Sequence, residues 1–385
     1  MKKLIFPEQA DDWQFLLTFL PAGWQGQAKA LGAIQRSRKF EHPETLLRIL
    51  FIHLADGCSL RETAVRAKHG NIVDISDVAL IKRLKAAGAW LQWMAAGVMA
   101  KWVEKQPEAI FGDKLRIRLI DGTTVQEPGS TGSTWRIHYS ILLPSLQCNE
   151  VQVTSPKVGE SFKRFTVQPG DVFLGDRGYA HGDALLYVIE GGGHVLVRIN
   201  LTNLPLLDEH GAPFPLLARL RTLTGTRLGD WQVRLPAEPR PIPGRLCALR
   251  KNKQAVERAR LQALRESQKK GHKVRPETLE ACAYTFVFTT LPADAFSPAQ
   301  VLEMYRGRWQ IEIVFKRLKS LLGLGHLKKT DVGLSKAWLQ GKLLVAFLIE
   351  ALVAAADRFS PWGYPLQAQK EQMSVERNLS HGSLA

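Results

Sequence analysis

The chain of 385 residues reads as an α+β fold, a mixed sheet flanked by helices, with a β-rich insertion and a helical region at its N-terminal end. Three observations predict it. Apolar residues recur at helical spacing through positions 12–108. At Leu115-Arg116-Ile117-Arg118-Leu119-Ile120-Asp121 that spacing gives way to alternation. A strand-helix-strand run over 171–199 is followed, further on, by a well-capped helix from Ser297.

Composition narrows the class of partner. With 45% hydrophobic and 23% charged residues, the chain has the make-up of a globular protein. Fifty-two Lys and Arg against 36 Asp and Glu leave a net charge of +16. That excess favours a polyanion, nucleic acid ahead of an anionic membrane. Cys58, Cys148, Cys247 and Cys282 are scattered, with no CxxC pair and no histidines at zinc-ligand spacing, so they read as reduced cysteines of a cytosolic protein. Acids follow the short apolar start too soon for a signal peptide. The run Trp338 to Ala356 is interrupted by Gln340, Lys342 and Glu350 and reads as a buried helix, not a membrane span. The expectation is a cytoplasmic protein without a membrane partner.

Residues 1–110 are expected to be helical. Leu46 to Leu54 form an apolar-rich helix that stops near Asp56-Gly57. Ser59 then caps Leu60 to Ala67, with Glu62 three residues on. After a turn-rich interval, Lys68 to Ser76, a helix from Asp77 to Met94 carries Lys82, Arg83 and Lys85. Helix, break and basic helix resemble a helix-turn-helix unit, a pattern that helical bundles without a DNA role also show.

The core is expected to start at 111 and run, in its first part, to 199. Asp121 ends the first strand before Gly122. Strands at Trp135–Leu143 and Gln147–Thr154 make an antiparallel meander. A buried strand from Asp171 ends in Asp176, followed by a helix from His181 to Glu190 and a strand from His194 to Ile199. Either aspartate alone is also an ordinary turn residue beside glycine. The segment 200–283 reads as the insertion, with short strands at Leu228–Leu235 and Arg245–Arg250 and then a basic helix; residues 250–275 hold ten Lys or Arg against two Glu. Residues 284–357 return to the core through a strand at Tyr284–Thr289 and the helix capped by Ser297 and Gln300, leaving 358–385 as a tail. A strand ending in Asp, two antiparallel strands, a second strand ending in Asp and a later helix with Glu is the element order of a ribonuclease-H-like fold.

That last helix carries the most specific pattern. At about 100° per residue, Tyr305, Arg308, Glu312 and Lys319 share a stripe about 60° wide and about 21 Å long, enough to track a strand of nucleic acid. Met304, Ile311, Val314, Phe315, Leu318 and Leu322 gather on the opposite flank. Trp309, beside the stripe, can stack on an unpaired base or pack in the core, and packing is the better expectation for so large an apolar ring. If Asp121, Asp176 and Glu312 converge, their mutual repulsion calls for hard divalent cations, and Mg2+ is the natural choice.

The spacing Tyr305-x2-Arg308-x3-Glu312-x6-Lys319 resembles the signature around the catalytic glutamate of the DDE transposases of bacterial insertion sequences. Asp176-Arg177-Gly178-Tyr179 is similar to that family's phrase around its second acid, and Gly57-Cys58-Ser59-Leu60-Arg61-Glu62-Thr63-Ala64 is similar to its N-terminal wording. The resemblance implies that Asp121, Asp176 and Glu312 are catalytic and bind metal, two Mg2+ ions with Mn2+ able to substitute. It implies that Tyr305, Arg308 and Lys319 contact terminal phosphates. The partners would be the element's terminal inverted repeats and target DNA, with a homodimer in the synaptic complex and cut-and-paste transfer as the outcome. A DNA-binding protein that does not cleave, and a structure-specific nuclease on the same fold, remain alternatives at this level.

Overall fold

The computed structural model describes residues 12–356 apart from 36–39, 104–114, 130–133, 200–204, 270, 272, 326, 328 and 329. The extreme N-terminus and the tail over 358–385 lie outside the described residues. In chain order the helices α1 (Asp12–Leu17), α2 (Trp24–Ala30), α3 (Pro43–Leu54), α4 (Leu60–His69), α5 (Asp77–Ala86) and α6 (Gly88–Val103) come first. Strands β1 (Arg116–Val125), β2 (Trp135–Leu142), β3 (Cys148–Thr154) and β4 (Asp171–Gly175) follow, then α7 (Gly182–Glu190), β5 (His194–Arg198) and α8 (Leu216–Arg221). The rest is β6 (Gly229–Leu235), β7 (Ile242–Arg250), α9 (Lys253–Lys269), α10 (Pro276–Ala281), β8 (Tyr284–Thr289), α11 (Pro298–Arg306), α12 (Trp309–Lys316) and α13 (Val332–Ala356). The chain divides into a helical unit, residues 1–106, 126–131 and 318–385, and a sheet unit, residues 107–125 and 132–317.

In the helical unit, local signals set the helix starts. Ser59 Oγ accepts the Glu62 amide at 3.1 Å, and Ser76 Oγ accepts the Ala79 amide at 3.2 Å, each satisfying a donor that a first helical turn leaves free. The single helix expected over 77–94 is two helices, α5 and α6, parted at Ala87. The chain has reason to bend there: Ala87 is fully buried, and a methyl at Gly88 would stand 3.2 Å from Ala337 Cβ of α13. α13 packs against α6, α5 and α3, with Gly341 seated on Leu54. It was expected within the sheet-bearing core; an apolar surface on nearly every side is instead covered by helices. It is long and apolar enough to cross a membrane, yet 72% of that stretch is buried inside the structure.

Among the described residues the sheet unit holds eight strands in the order β3-β2-β1-β4-β5-β8-β7-β6. β1, β4 and β5 are parallel; the other neighbours are antiparallel. This is the mixed, helix-flanked sheet of the ribonuclease-H-like class. The hairpin β6–β7, from the segment read as an insertion, does not stand apart but extends the sheet beyond β8. Ala184, Leu185 and Val188 of α7 join Ile120, Phe173, Val195 and Val197 in the core on one sheet face. On the other, Phe315 of α12 meets Tyr139 of β2 edge-on, ring centres 6.0 Å apart. Strands β1 and β4 are locked by a buried charge network: Arg118 Nη1 lies 3.1 Å from Asp171, its Nη2 lies 2.7 Å from Glu150, and Arg116 reaches Asp171 at 2.7 Å.

Two sequence expectations change here. β1 does not stop at Asp121 but runs to Val125, because β2 pairs with it throughout, Asp121 opposite Tyr139 and Val125 opposite Trp135. The continuous helix from 305 to 319 is also broken. Around Gly307 and Arg308 the backbone tightens to three-residue hydrogen bonds (Arg308 N to Tyr305 O, Gln310 N to Gly307 O, Ile311 N to Arg308 O), and a π-helical turn, Arg317–Leu321, follows α12. A uniform 100° per residue therefore does not hold across Tyr305, Arg308, Glu312 and Lys319.

Candidate active site

Parallel pairing sets the two aspartates level. β1 and β4 run in register from Arg116 with Asp171 to Leu119 with Leu174; carried on two residues, that register puts Asp121 beside Asp176. Neighbouring strands lie about 4.8 Å apart, so the two carboxylates are close neighbours. Asp121 shares the sheet face of its partner Tyr139, the face against which α12 packs. Each aspartate is steadied by a nearby amide: Gly122 N donates to Asp121 at 2.7 Å, and Gly178 N to Asp176 at 2.7 Å.

Glu312, on α12, is brought to this pair through Arg308. Arg308 Nη2 donates to Glu312 Oε1, and its Nη1 lies 3.8 Å from Asp121 Oδ2. The Glu312 side chain remains 58% exposed. Ser297 starts α11 as the sequence suggested: its hydroxyl accepts the Gln300 amide, and Gln300 Oε1 accepts the Ser297 amide at 2.9 Å.

Burial is the first cause that lifts the Asp121 carboxyl to about 7, and the negative charges of Asp176 and Glu160 add to it; the Gly122 amide and Arg308 oppose. Glu160 was not singled out from the sequence. It lies in the irregular link between β3 and β4, where no periodicity or motif marks it. Burial, then Asp176, raises its carboxyl, while Arg136 lowers it. Among the described residues no three His, Cys, Asp or Glu side chains yet stand where they could share one ion. The donors nevertheless fit a hard divalent cation: all are carboxylate oxygens, and a divalent ion beside Asp121 would favour its charged form.

A group of cations adjoins the acids. Tyr305, half-buried, feels the charges of Arg308, Arg198, Asp176 and Arg177 after the larger effect of burial, which raises its hydroxyl. Lys251, at the end of β7, is pushed down to about 8 by burial and by Arg198 and Arg177. Arg198 Nε is buried without a hydrogen-bond partner. Arg177, Arg198 and Lys251 come from the ends of three different strands, so no sequence spacing could have grouped them. Trp309 is 49% exposed, against the expectation of core packing, because the tightened turn before α12 leaves its ring outside the buried stripe of Ile311, Val314 and Phe315. Lys319 belongs to the helical unit, half-buried on the π-helical turn, with its ammonium pushed down by burial.

Residues 112–348 match a family model described as a transposase DDE domain. Over 91% of its length the chain is 33% identical to a protein of Escherichia coli (strain K12) named putative transposase InsL for insertion sequence element IS186A, covering 96% of it. It is equally similar, over the same shares, to the transposase for insertion sequence element IS421 of Escherichia coli. The transposase for insertion sequence element IS231F of Bacillus thuringiensis subsp. israelensis is 27% identical over 67% of this chain and 60% of its own length. A match that takes in β1, β4 and α12 together, and relatives aligned along nearly the whole chain, lead to one assignment: this chain belongs to the DDE transposase family.

Proposed function

We propose that this insertion-sequence transposase cuts DNA at the ends of its own element with Asp121, Asp176 and Glu312 as catalytic carboxylates, and joins the freed ends to target DNA. Transposases act on DNA, and the family works with divalent metal ions. The observation that carries the proposal is the placing of Asp121 on β1 and Asp176 just past the end of the adjacent parallel β4, with Glu312 linked to Asp121 through Arg308. These three residues would hold two Mg2+ ions, with Mn2+ able to replace them; when bound, such a pair activates the attacking oxygen and stabilises the leaving one.

The remaining roles belong to the chain's own side chains. Arg308, freed from its carboxylates once cations neutralise them, grips a phosphate with two parallel hydrogen bonds. Tyr305 donates to a phosphate oxygen, and Lys319 adds a point charge. Arg177, Arg198 and Lys251 extend the anion-binding surface from the acids toward the end of β7. Trp309, with its ring exposed, stacks on an unpaired base. The N-terminal helical region, 1–110, binds the terminal inverted repeats, the basic helix α9 of the segment 200–283 faces DNA, and a homodimer brings two ends together. The protein works in the bacterial cytoplasm on nucleoid DNA.

The test is a joining assay. Purified protein, a duplex ending in the element's terminal repeat, a target plasmid and Mg2+ are expected to give free 3′-hydroxyl ends and then covalently joined products. Cut ends that never join would mark a nuclease, and retention of the duplex without cutting would mark a binding protein; either outcome defeats the proposal.

A further inference from the structure

Arg198 continues the row of the two aspartates. Leu119, Leu174 and Leu196 are partners across β1, β4 and β5. Two residues further on, the same register sets Asp121, Asp176 and Arg198 side by side on one face of the sheet. Arg198 pairs with Val287 of β8, and Val287 with Cys247 of β7. Alternation carries that face from Cys247 to Lys251, just past the strand, where the Lys251 amide still donates to Ala283 O at 2.8 Å. Two cations from strands far apart in sequence thus stand on the face that holds the acids.

Their surroundings lack a counter-charge. Lys251 Nζ donates to Cys282 O at 3.1 Å, a neutral partner. Burial, Arg198 and Arg177 together bring its ammonium down to about 8; the Cys282 thiol opposes them, and no carboxylate does. Arg198 Nε is buried without a hydrogen-bond partner, and Arg177, Tyr305, Arg308 and Cys282 are the side chains that act on its charge. Like charges gathered partly out of water repel one another, so the cluster favours an anion placed among them.

We propose that Arg198, Arg177 and Lys251 seat one DNA phosphate whose arrival draws a proton onto Lys251, so that DNA binding and proton uptake are coupled. The proposal rests on the reading of the face around Asp121 and Asp176 as the one that holds DNA. The phosphate favours the charged amine and offsets the two arginines, so Lys251 rises toward the ordinary lysine range in the complex. At about pH 8, about half of the free molecules then gain a proton on binding; at about pH 7 most are charged already.

Titration calorimetry of the full-length protein with a duplex ending in the terminal repeat, without divalent metal so that the DNA stays uncut, tests this. Heats in two buffers of unequal ionisation enthalpy give the protons taken up. The wild type is expected to take up about half a proton per chain at about pH 8 and about a tenth at about pH 7, and to lose about ten-fold in affinity between about pH 7 and about pH 9. Lys251→Arg, charged throughout, is expected to lose both the uptake and that pH dependence. No uptake by the wild type, or uptake that persists in Lys251→Arg, overturns the proposal. Arg198→Gln and Arg308→Gln separate it from the wider reading: if either weakens DNA binding while the wild type takes up no proton, only the coupling falls, and if neither weakens binding, the DNA-holding face falls with it. Thermal melting checks the fold. Should Lys251→Arg fail to fold, Lys251→Gln replaces it: loss of uptake supports the proposal, and unchanged uptake overturns it.

Discussion

Arg308 spans Asp121 and Glu312 with a single guanidinium, so the side chain expected to grip a DNA phosphate is, in the protein alone, the cation that offsets two of the acids. Both roles follow from one property, a planar fork that matches any pair of oxygens, carboxylate or phosphate. The sequence made Arg308 and Glu312 neighbours on a helix face; that Asp121 completes the set needed the sheet register. Glu160 was beyond reach for a plainer reason, since an acid in an irregular link carries no spacing that relates it to a strand. Buried His138 shows residue-scale chemistry away from the site. Burial, then Arg164 and Arg136, push its imidazole down to about 4, and Nε2 meets Thr154 Oγ1 at 2.9 Å. The unfolded chain binds a proton here below about 6.5 that the folded chain refuses until about 4. Stability contributed above pH 6.5 is thus lost as pH falls through that window, on the order of 3 kcal/mol. The urea midpoint of the wild type is expected to drop more steeply between those values than that of His138→Gln; parallel curves would remove this explanation.

At the scale of elements, alternation and turn chemistry located β2 to β5 and β8 to within a residue or two. Where one element's end depends on another's pairing, the reading failed. β1 overran its expected end because β2 supplies partners as far as Val125, and the helix that carries the signature tightened at Gly307 and widened at Arg317 although its apolar spacing fits a plain helix. The approach to that helix is fixed by Arg245 of β7, 2% exposed, which donates through Nε to Leu291 O at 3.0 Å, through Nη2 to Phe296 O, and pairs through Nη1 with Asp230 at 2.8 Å. Replacing it with Met removes this donor from Asp230 and from the carbonyls of Leu291, Pro292 and Phe296, at a cost of about 3–5 kcal/mol. Chemical denaturation of Arg245→Met measures this, and a loss under 1 kcal/mol would show that the segment 291–296 is held by other means.

For the whole molecule, charge and chain order were legible in the sequence. The net charge of +16 pointed to nucleic acid, and three acids on two strands and a helix pointed to metal-assisted phosphoryl transfer. The long final helix was not assigned correctly, because a segment apolar on all sides states only that it is buried, not beside what. Binding to duplex DNA is expected to lose about three orders of magnitude in affinity between 50 and 200 mM salt if roughly six phosphates are neutralised; fluorescence anisotropy reads this directly, and a salt-independent affinity would refute a phosphate-tracking surface. The sharpest test of the central claim is cleavage of terminal-repeat DNA in Mg2+ by Asp121→Asn, Asp176→Asn and Glu312→Gln, each compared with its own DNA affinity. The account expects each change to abolish cutting while binding persists, whereas cutting that survives all three single changes would contradict it.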